Sequence, residues 1–189
     1  MPTPILQTPR LELQPLKLSD ADQVQKIFPH WEIVRQLDAK IPWPFPADGV
    51  YTFYRDVALP AIARGEEWHW MLRLKDDPQQ EVVGSIRLSL QGDMNRGFWI
   101  ALDWQGRGLM TEASAEVTKF WFEDLKQPIL RIKKAIDNTA SRAISLRQGM
   151  RCIGETEEDY VSGRLPTEIW ELTAEEWHAR KHTRKDSQP

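Results

Sequence analysis

Two glycines one residue apart, in Gln105-Gly106-Arg107-Gly108-Leu109-Met110-Thr111-Glu112, carry the most specific chemistry in this sequence, the binding of a phosphate group. The run Gly97-Phe98-Trp99-Ile100-Ala101-Leu102 before them reads as a strand, and the residues after them open a helical pattern. Glycines in such a turn let successive N–H groups point into one concavity, and the positive end of the helix dipole adds to their field. The spacing is not that of a Walker loop, which ends in Gly-Lys-Ser/Thr. Nor is it a dinucleotide fingerprint, which needs a third glycine where Thr111 stands. Glu112 places a carboxylate in the helix's first turn, where it complements the dipole. Asn138 and Ser141 form a second polar set, positioned as an N-cap and its reciprocating first-turn partner. His178 and His182 share a helical face without a third ligand at suitable spacing, so no metal site is expected; His30 and His69 stand alone. Cys152 has no histidine partner in the pattern and reads as a small buried residue.

These residues need a scaffold, and its elements are legible in order. Arg10 to Leu16 alternates as a strand, and Ser19 with Asp22 reads as a capping box before a helix bearing Val24, Ile27 and Phe28. Alternate prolines in Ile41-Pro42-Trp43-Pro44-Phe45-Pro46 exclude a helix there, and the next one, with Val50, Phe53, Tyr54 and Val57, is expected to kink or end at Pro60. Trp68 to Leu74, Val82 to Leu90 and the strand before the glycines form a meander. Ala113, Val117, Phe120, Trp121 and Leu125 mark the buried face of the helix after the glycines. Leu130 to Ile136 is a strand able to lie parallel to the one before the loop. A helix at 138–148, strands near Glu155 to Tyr160 and Glu168 to Leu172, and a last short helix capped by Thr173 and Glu176 complete the pattern. The predicted fold is α/β (α+β), a mixed, mostly antiparallel central sheet of about seven strands with helices on both faces.

At 189 residues, 41% hydrophobic and 28% charged, the chain reads as a single domain over 1–189, with a core of about 8–178 and a frayed tail at 179–189. A net charge of −3 argues against nucleic acid held by a general basic field, and Lys133 with Lys134 reads as a solvated face. One cysteine excludes an internal disulfide and suits a cytoplasmic location. No apolar run approaches the roughly 20 residues a membrane span requires. Of nine tryptophans, Trp68, Trp70, Trp99 and Trp121 are assigned to the core.

The loop resembles the acyl-CoA pyrophosphate loop of the GCN5-related N-acetyltransferases, Gln/Arg-x-x-Gly-x-Gly/Ala, carried by Gln105, Gly108 and Met110. Thr8-Pro9-Arg10-Leu11-Glu12-Leu13 with Leu16 and Asp20 is similar to the opening of the branch containing the ribosomal-protein N-terminal acetyltransferases (RimJ/RimL-like). Asn138-Thr139-Ala140-Ser141 followed by Gln148-Gly149-Met150 resembles that branch's Asn-x-x-Ser helix and its end.

The resemblance implies an acyl-CoA N-acyltransferase fold and transfer of acetyl from acetyl-CoA to an amine by direct attack, with no metal. It implies pantetheine contacts from the main chain of Ile100, Ala101 and Leu102. Pyrophosphate contacts fall to Gln105, Gly106, Arg107, Gly108, Leu109, Met110 and Thr111. Asn138 would bond the pantetheine and Ser141 the thioester sulfur, Ser145 standing where many relatives of the superfamily have an acidic tyrosine. Asp159, before Tyr160, is similar to an acid–tyrosine pair in some members and is the candidate base; a solvated strand edge is the competing reading. Trp31, Trp43 and Phe45 flank the acceptor wall of relatives, with burial in the core the competing use. The expected acceptor is a protein N-terminal α-amine. A small-molecule amine, such as a drug or polyamine, and a catalytically silent acyl-CoA-binding module remain open, as does the oligomeric state.

Overall fold

The computed structural model describes residues 1–185, with side chains as far as Arg180. Eight strands are present among these residues, in two antiparallel sheets rather than the single sheet of about seven that the pattern suggested. The larger sheet runs in the order β1 (Leu6–Gln7), β2 (Leu11–Pro15), β3 (Glu67–Leu74), β4 (Val82–Ser89), β5 (Arg96–Ile100). The smaller has the order β6 (Ile129–Ala135), β8 (Gly163–Thr173), β7 (Arg151–Tyr160).

The sheets touch where β5 and β6 begin. Asn95 N–H donates to Arg131 O at 2.9 Å, and Asn95 Oδ1 accepts from Arg131 N–H at 2.8 Å. Asn95 Nδ2 is anchored in turn on the carbonyls of Ser89 and Gly92. Beyond this clasp no ladder joins β5 to β6, so the expected parallel neighbours are replaced by a cleft.

Helices lie on both faces. On one, α5 (Leu109–Lys119), extended by a π-helical stretch at Phe120–Asp124, buries Leu109, Met110, Ala113, Val117, Phe120 and Trp121 against Trp68, Trp70, Ile86 and Leu88. Each fully buried side chain of this size contributes about 1.5–3 kcal/mol, which makes this cluster the anchor of the loop before it. α6 (Thr139–Gln148) adds Ile144 to the same core, and α7 (Ala174–Lys185) starts where Thr173 and Glu176 exchange hydrogen bonds, the predicted cap. It is a helix of 12 residues rather than a short one, and residues 186–189 of the expected tail lie outside the described residues.

The opposite face carries α1 (Ala21–Ile27), α2 (Trp31–Val34), α3 (Gly49–Phe53) and α4 (Leu59–Ala63) over Met71 and Val82. Two details differ from the sequence pattern. The turn before α1 is closed by Asp20, which accepts from Lys17 N–H at 2.8 Å and pairs with Arg73 at 2.6 Å, and not by Ser19 with Asp22. Pro60 does not end the helix. A π-helical stretch, Tyr54–Ala58, joins α3 to α4, and Leu59 N–H bonds back to Tyr54 O. The wider turn shifts the hydrogen-bond register just before the residue that lacks an N–H.

Candidate active site

Strand alternation decides which main-chain groups face the cleft. Ala101 N–H donates to Val83 O and Ser89 N–H to Asn95 O, both at 2.9 Å, so the odd-numbered residues from 95 to 101 bond β4. In an antiparallel pair the intervening residues point their N–H and C=O the other way. Phe98 and Ile100 therefore present main-chain groups along the edge that no strand covers. Of the three residues proposed for pantetheine, Ile100 has this geometry, and Gln105 Nε2 approaches its carbonyl at 3.3 Å. Ala101 already uses its N–H on Val83 and its carbonyl on Trp104, and Leu102 opens a 3₁₀ turn, Leu102–Trp104. Phe98 was missed, although the period of two along this strand identifies it.

The glycine loop has the conformation its composition requires. Gly106 and Gly108 have φ of +73° and +76°, a region costly for other residues, and no atom lies within 4 Å of where a Cβ of Gly106 would stand. Gly108 is the N-cap of α5 and offers no side-chain oxygen. The first α-helical bond runs from Glu112 N–H to Gly108 O, so the N–H groups of Leu109, Met110 and Thr111 lack helical acceptors and point out of the helix end. Leu109 and Met110 are buried, fixing that end, while residues 105–108 are exposed. Two cations flank the loop: Arg107 lies over the Trp104 ring at 4.6 Å, and Arg10 Nη1 donates to Arg107 O at 3.0 Å.

Glu112 does more than complement the dipole. It accepts from Thr8 Oγ1 at 2.5 Å, from Arg10 N–H at 2.8 Å and from Arg10 Nε at 2.8 Å. Burial pushes its carboxyl up, and the bonds from Thr8 and Arg10 outweigh this, holding it below the usual glutamate range. The segment at Thr8 to Arg10 is thereby clamped to the first turn of α5, which connects two sequence motifs about 100 residues apart.

Across the cleft, Asn138 caps α6 by accepting from Ser141 N–H at 3.1 Å. Ser141 does not reciprocate. Its Oγ accepts from Lys134 Nζ at 2.5 Å, and its carbonyl accepts from the same ammonium at 2.7 Å. Lys134 is thus not part of a solvated face: it is 5% exposed, in phase along β6 with the buried Leu130 and Ile132. That alternation was the signal for its burial. Desolvation, and then the charge of Arg96, lower its pKa well below the ordinary lysine value. Arg96 is 2% exposed, donates to Thr118 and Gln148 at 2.6 Å, and is brought down to about 10 by burial. Ser145, one turn beyond Ser141, is buried with its hydroxyl unpaired among the described residues.

The other face holds the candidate acceptor residues. Trp31 and Trp43 are 41% and 42% exposed and meet at a tilt of 49° with ring centroids 5.5 Å apart, so they are not core residues; the prolines around Trp43 keep it off any helix that would bury it. Phe45 is half-buried and packs edge-on against Phe28, which in turn meets Trp99 of β5. The β7–β8 hairpin tip is tied to the segment after α2: Ala39 N–H donates to Asp159 O, Val161 N–H to Leu37 O and Ser162 N–H to Arg35 O. This places the hairpin at the same end as the tryptophans. Asp159 itself is exposed, on the opposite face of β7 from Glu158 and the buried Tyr160; Glu158 pairs with Lys133 at 2.7 Å and Tyr160 bonds Thr167 at 2.9 Å.

Two other expectations are corrected. His69 is not isolated: it is buried, with Nε2 2.6 Å from Glu67, which also pairs with Arg87 at 3.0 Å, and desolvation lowers its pKa. Cys152 is exposed, because the irregularity in register between Cys152 and Gly154 lies on the edge strand β7. The side chain of His182 lies outside the described residues. Among those described, no group of His, Cys, Asp and Glu could hold a metal ion, and no helix is long and apolar enough to cross a membrane.

A family model for the acetyltransferase (GNAT) domain matches residues 10–151. The "Putative ribosomal N-acetyltransferase YdaF" of Bacillus subtilis is 31% identical over 106 residues, which cover 53% of this chain and 58% of that relative. The match therefore spans little more than half the relative's length. Among solved structures, the ribosomal-protein-S5-alanine acetyltransferase of Vibrio fischeri is similar with a TM-score of 0.78 at 12% identity, over 92% of this chain and 98% of the other. The ribosomal L7/L12 α-N-protein acetyltransferase RimL, in complex with coenzyme A, gives a TM-score of 0.73 at 18% identity, over 92% and 98% of the two chains. At these identities the structures establish the shared fold.

Proposed function

The chain belongs to the GNAT acetyltransferase family, and we propose that it transfers the acetyl group of acetyl-CoA to a primary amine by direct attack, the acceptor being a protein N-terminal α-amine. The observation that carries this reading is that β5 leaves its edge at Phe98 and Ile100 uncovered by β6 and leads into a glycine loop whose helix has N–H groups without helical acceptors. A pantetheine amide chain fits an uncovered strand edge, and a pyrophosphate fits main-chain donors at a helix N-terminus. Acetyl-CoA, when bound, supplies an activated acyl group on a thiol leaving group. The chain's own part is to orient it: Phe98 and Ile100 hold its arm, residues 106–111 hold its phosphates, and Asn138 with Ser141 border the thioester.

The acceptor follows from magnitudes. An α-amine is about one-tenth neutral at pH 7, whereas a lysine amine is neutral only about once in 2,500 molecules, a difference of roughly 3 kcal/mol in the cost of deprotonation. Asp159 faces solvent and Glu158 is engaged with Lys133, so the site offers little to meet the larger cost. An α-amine needs less help, and the ribosomal acceptors named for the relatives agree with it. We place the activity in the cytoplasm on the same ground. The test is a panel of short peptides with free or blocked N-termini, assayed beside spermidine and aminoglycosides. Free N-termini should be turned over fastest, with kcat/KM rising with pH and levelling near 8. Preference for blocked lysine peptides or polyamines would overturn the acceptor assignment.

A further inference from the structure

The buried Lys134 has no part in the proposed chemistry, yet it is 5% exposed and held by two hydrogen bonds. It projects from β6 between β5 and α6: Nζ stands 5.3 Å from the Phe98 ring centroid and bonds both oxygens of Ser141. Two neighbouring strands bring charged groups toward it. On β5, Arg96 is a second buried cation. On β8, the residue opposite Lys134 is Glu168, whose two carboxylate oxygens are taken by Arg142 of α6 at 2.7 Å each, with Trp170 Nε1 adding a bond at 2.9 Å. No ion pair joins Lys134 or Arg96 to a carboxylate among the described residues. Two buried cations without a counter-ion are costly, several kcal/mol each after relaxation, so such a group gives up its proton readily and is stabilised in its charged form when a ligand brings negative charge beside it.

We propose that Lys134 acts through Ser141 on the sulfur of bound CoA, fixing the serine hydroxyl as a donor toward the cleft and replacing the proton that it gives up. An ammonium has donors only, so Ser141 Oγ is its acceptor and the hydroxyl's own proton is left without an acceptor among the described residues. In the transfer, the acceptor nitrogen forms its bond to the acyl carbon and its surplus proton passes to solvent. As the carbon–sulfur bond breaks, its electron pair stays on sulfur. Ser141 gives its proton to that sulfur, Lys134 gives one to Ser141 Oγ, and the neutral amine recovers a proton from water once CoA has left. A serine alone is a poor acid toward a thiolate. A lysine made more acidic by burial is a better one. Lys134 is thus a positioning residue, and Ser141 is the group that touches the ligand.

This inference rests on CoA binding in the cleft, and its test is read on bound CoA without any acceptor amine. The thiol of CoA is titrated by the ultraviolet absorbance of its thiolate, on the intact protein and on Lys134→Met, Lys134→Arg and Ser141→Ala. In the unaltered protein the bound thiol should ionise below the value of about 8.5 for a free thiol. Lys134→Met should raise it by about one unit with CoA affinity within about twofold, Lys134→Arg should restore part of the shift, and Lys134→Met should lose no thermal stability because a like charge beside Arg96 has gone. In turnover, kcat of Lys134→Met should fall on the order of tenfold to a hundredfold, and the same change in Ser141→Ala should cost nothing further. An unshifted bound thiol, or additive losses in the double variant, would overturn the proposal while leaving the acetyltransferase reading intact. Failure of CoA to bind at all would overturn both.

Discussion

On the α5–α6 side of the cleft, the candidate cofactor residues are anchored within the scaffold: Gly108 caps α5, Asn138 caps α6, Lys134 bonds Ser141, and Glu112 ties Arg10 beside the loop. On the α1–α4 side, the candidate acceptor residues are exposed or half-buried, and what joins them is a set of loop-to-loop bonds between segment 35–39 and the hairpin tip. The first side presents a fixed ligand geometry. The second presents an aromatic surface whose shape depends on how two loops meet. A transferase with one invariant donor and a variable acceptor is served by this division, since loops change readily while a rigid scaffold holds the chemistry.

The sharpest way to break the comparison is at Gly108. Gly108→Asp puts a carboxylate where phosphate should approach, and CoA affinity measured by calorimetry should fall at least a hundredfold with the fold preserved. Gly108→Asn carries the same left-handed backbone strain of about 1 kcal/mol without the charge, and should retain measurable binding. Equal affinities of Gly108→Asp and the unaltered protein would remove the loop from the site.

Glu112 gives a smaller effect of a different kind. Glu112→Gln weakens the clamp on Thr8 and Arg10 and should lower stability by about 1–2 kcal/mol at neutral pH. Because the carboxyl is held below its unfolded value, its contribution is present above that value and is lost as pH falls through the folded one. The difference in melting temperature between the two proteins should therefore shrink below pH of about 4.5 and vanish in stronger acid. A difference independent of pH would assign the loss to packing.

Smallest in its effect on the fold is Trp31→Ala. An exposed side chain away from the core should change stability by no more than about 0.5 kcal/mol. It should raise KM for the peptide acceptor severalfold and leave the affinity for CoA unchanged, as should Trp43→Ala. An effect on CoA rather than on the acceptor would collapse the distinction between the two sides.

The same division explains what was legible beforehand. The glycine loop, the Asn138 cap and the strand and helix order follow from bonds within a few residues, and local pattern displays them. Glu112 with Arg10, Lys134 with Ser141, and His69 with Glu67 depend on which elements the sheet brings together. For Lys134 and His69 the period of two along β6 and β3 did hold the clue, since both lie in phase with buried neighbours. The exposure of Trp31, Trp43 and Cys152 held none, because burial there is decided by prolines and an edge-strand irregularity rather than by hydrophobicity. Pro60 did not end its helix because the π-helical stretch before it shifts the hydrogen-bond register at the residue that lacks an N–H.

The central claim, that the cleft between β5 and β6 is where acyl-CoA binds, is tested most directly by amide hydrogen exchange with and without CoA. Phe98, Ile100 and residues 106–111 should gain protection on addition of CoA, while Ala101, already bonded to Val83, should be protected in both states. Protection confined to other parts of the sheets, with exchange at 98, 100 and 106–111 unchanged, would contradict the account.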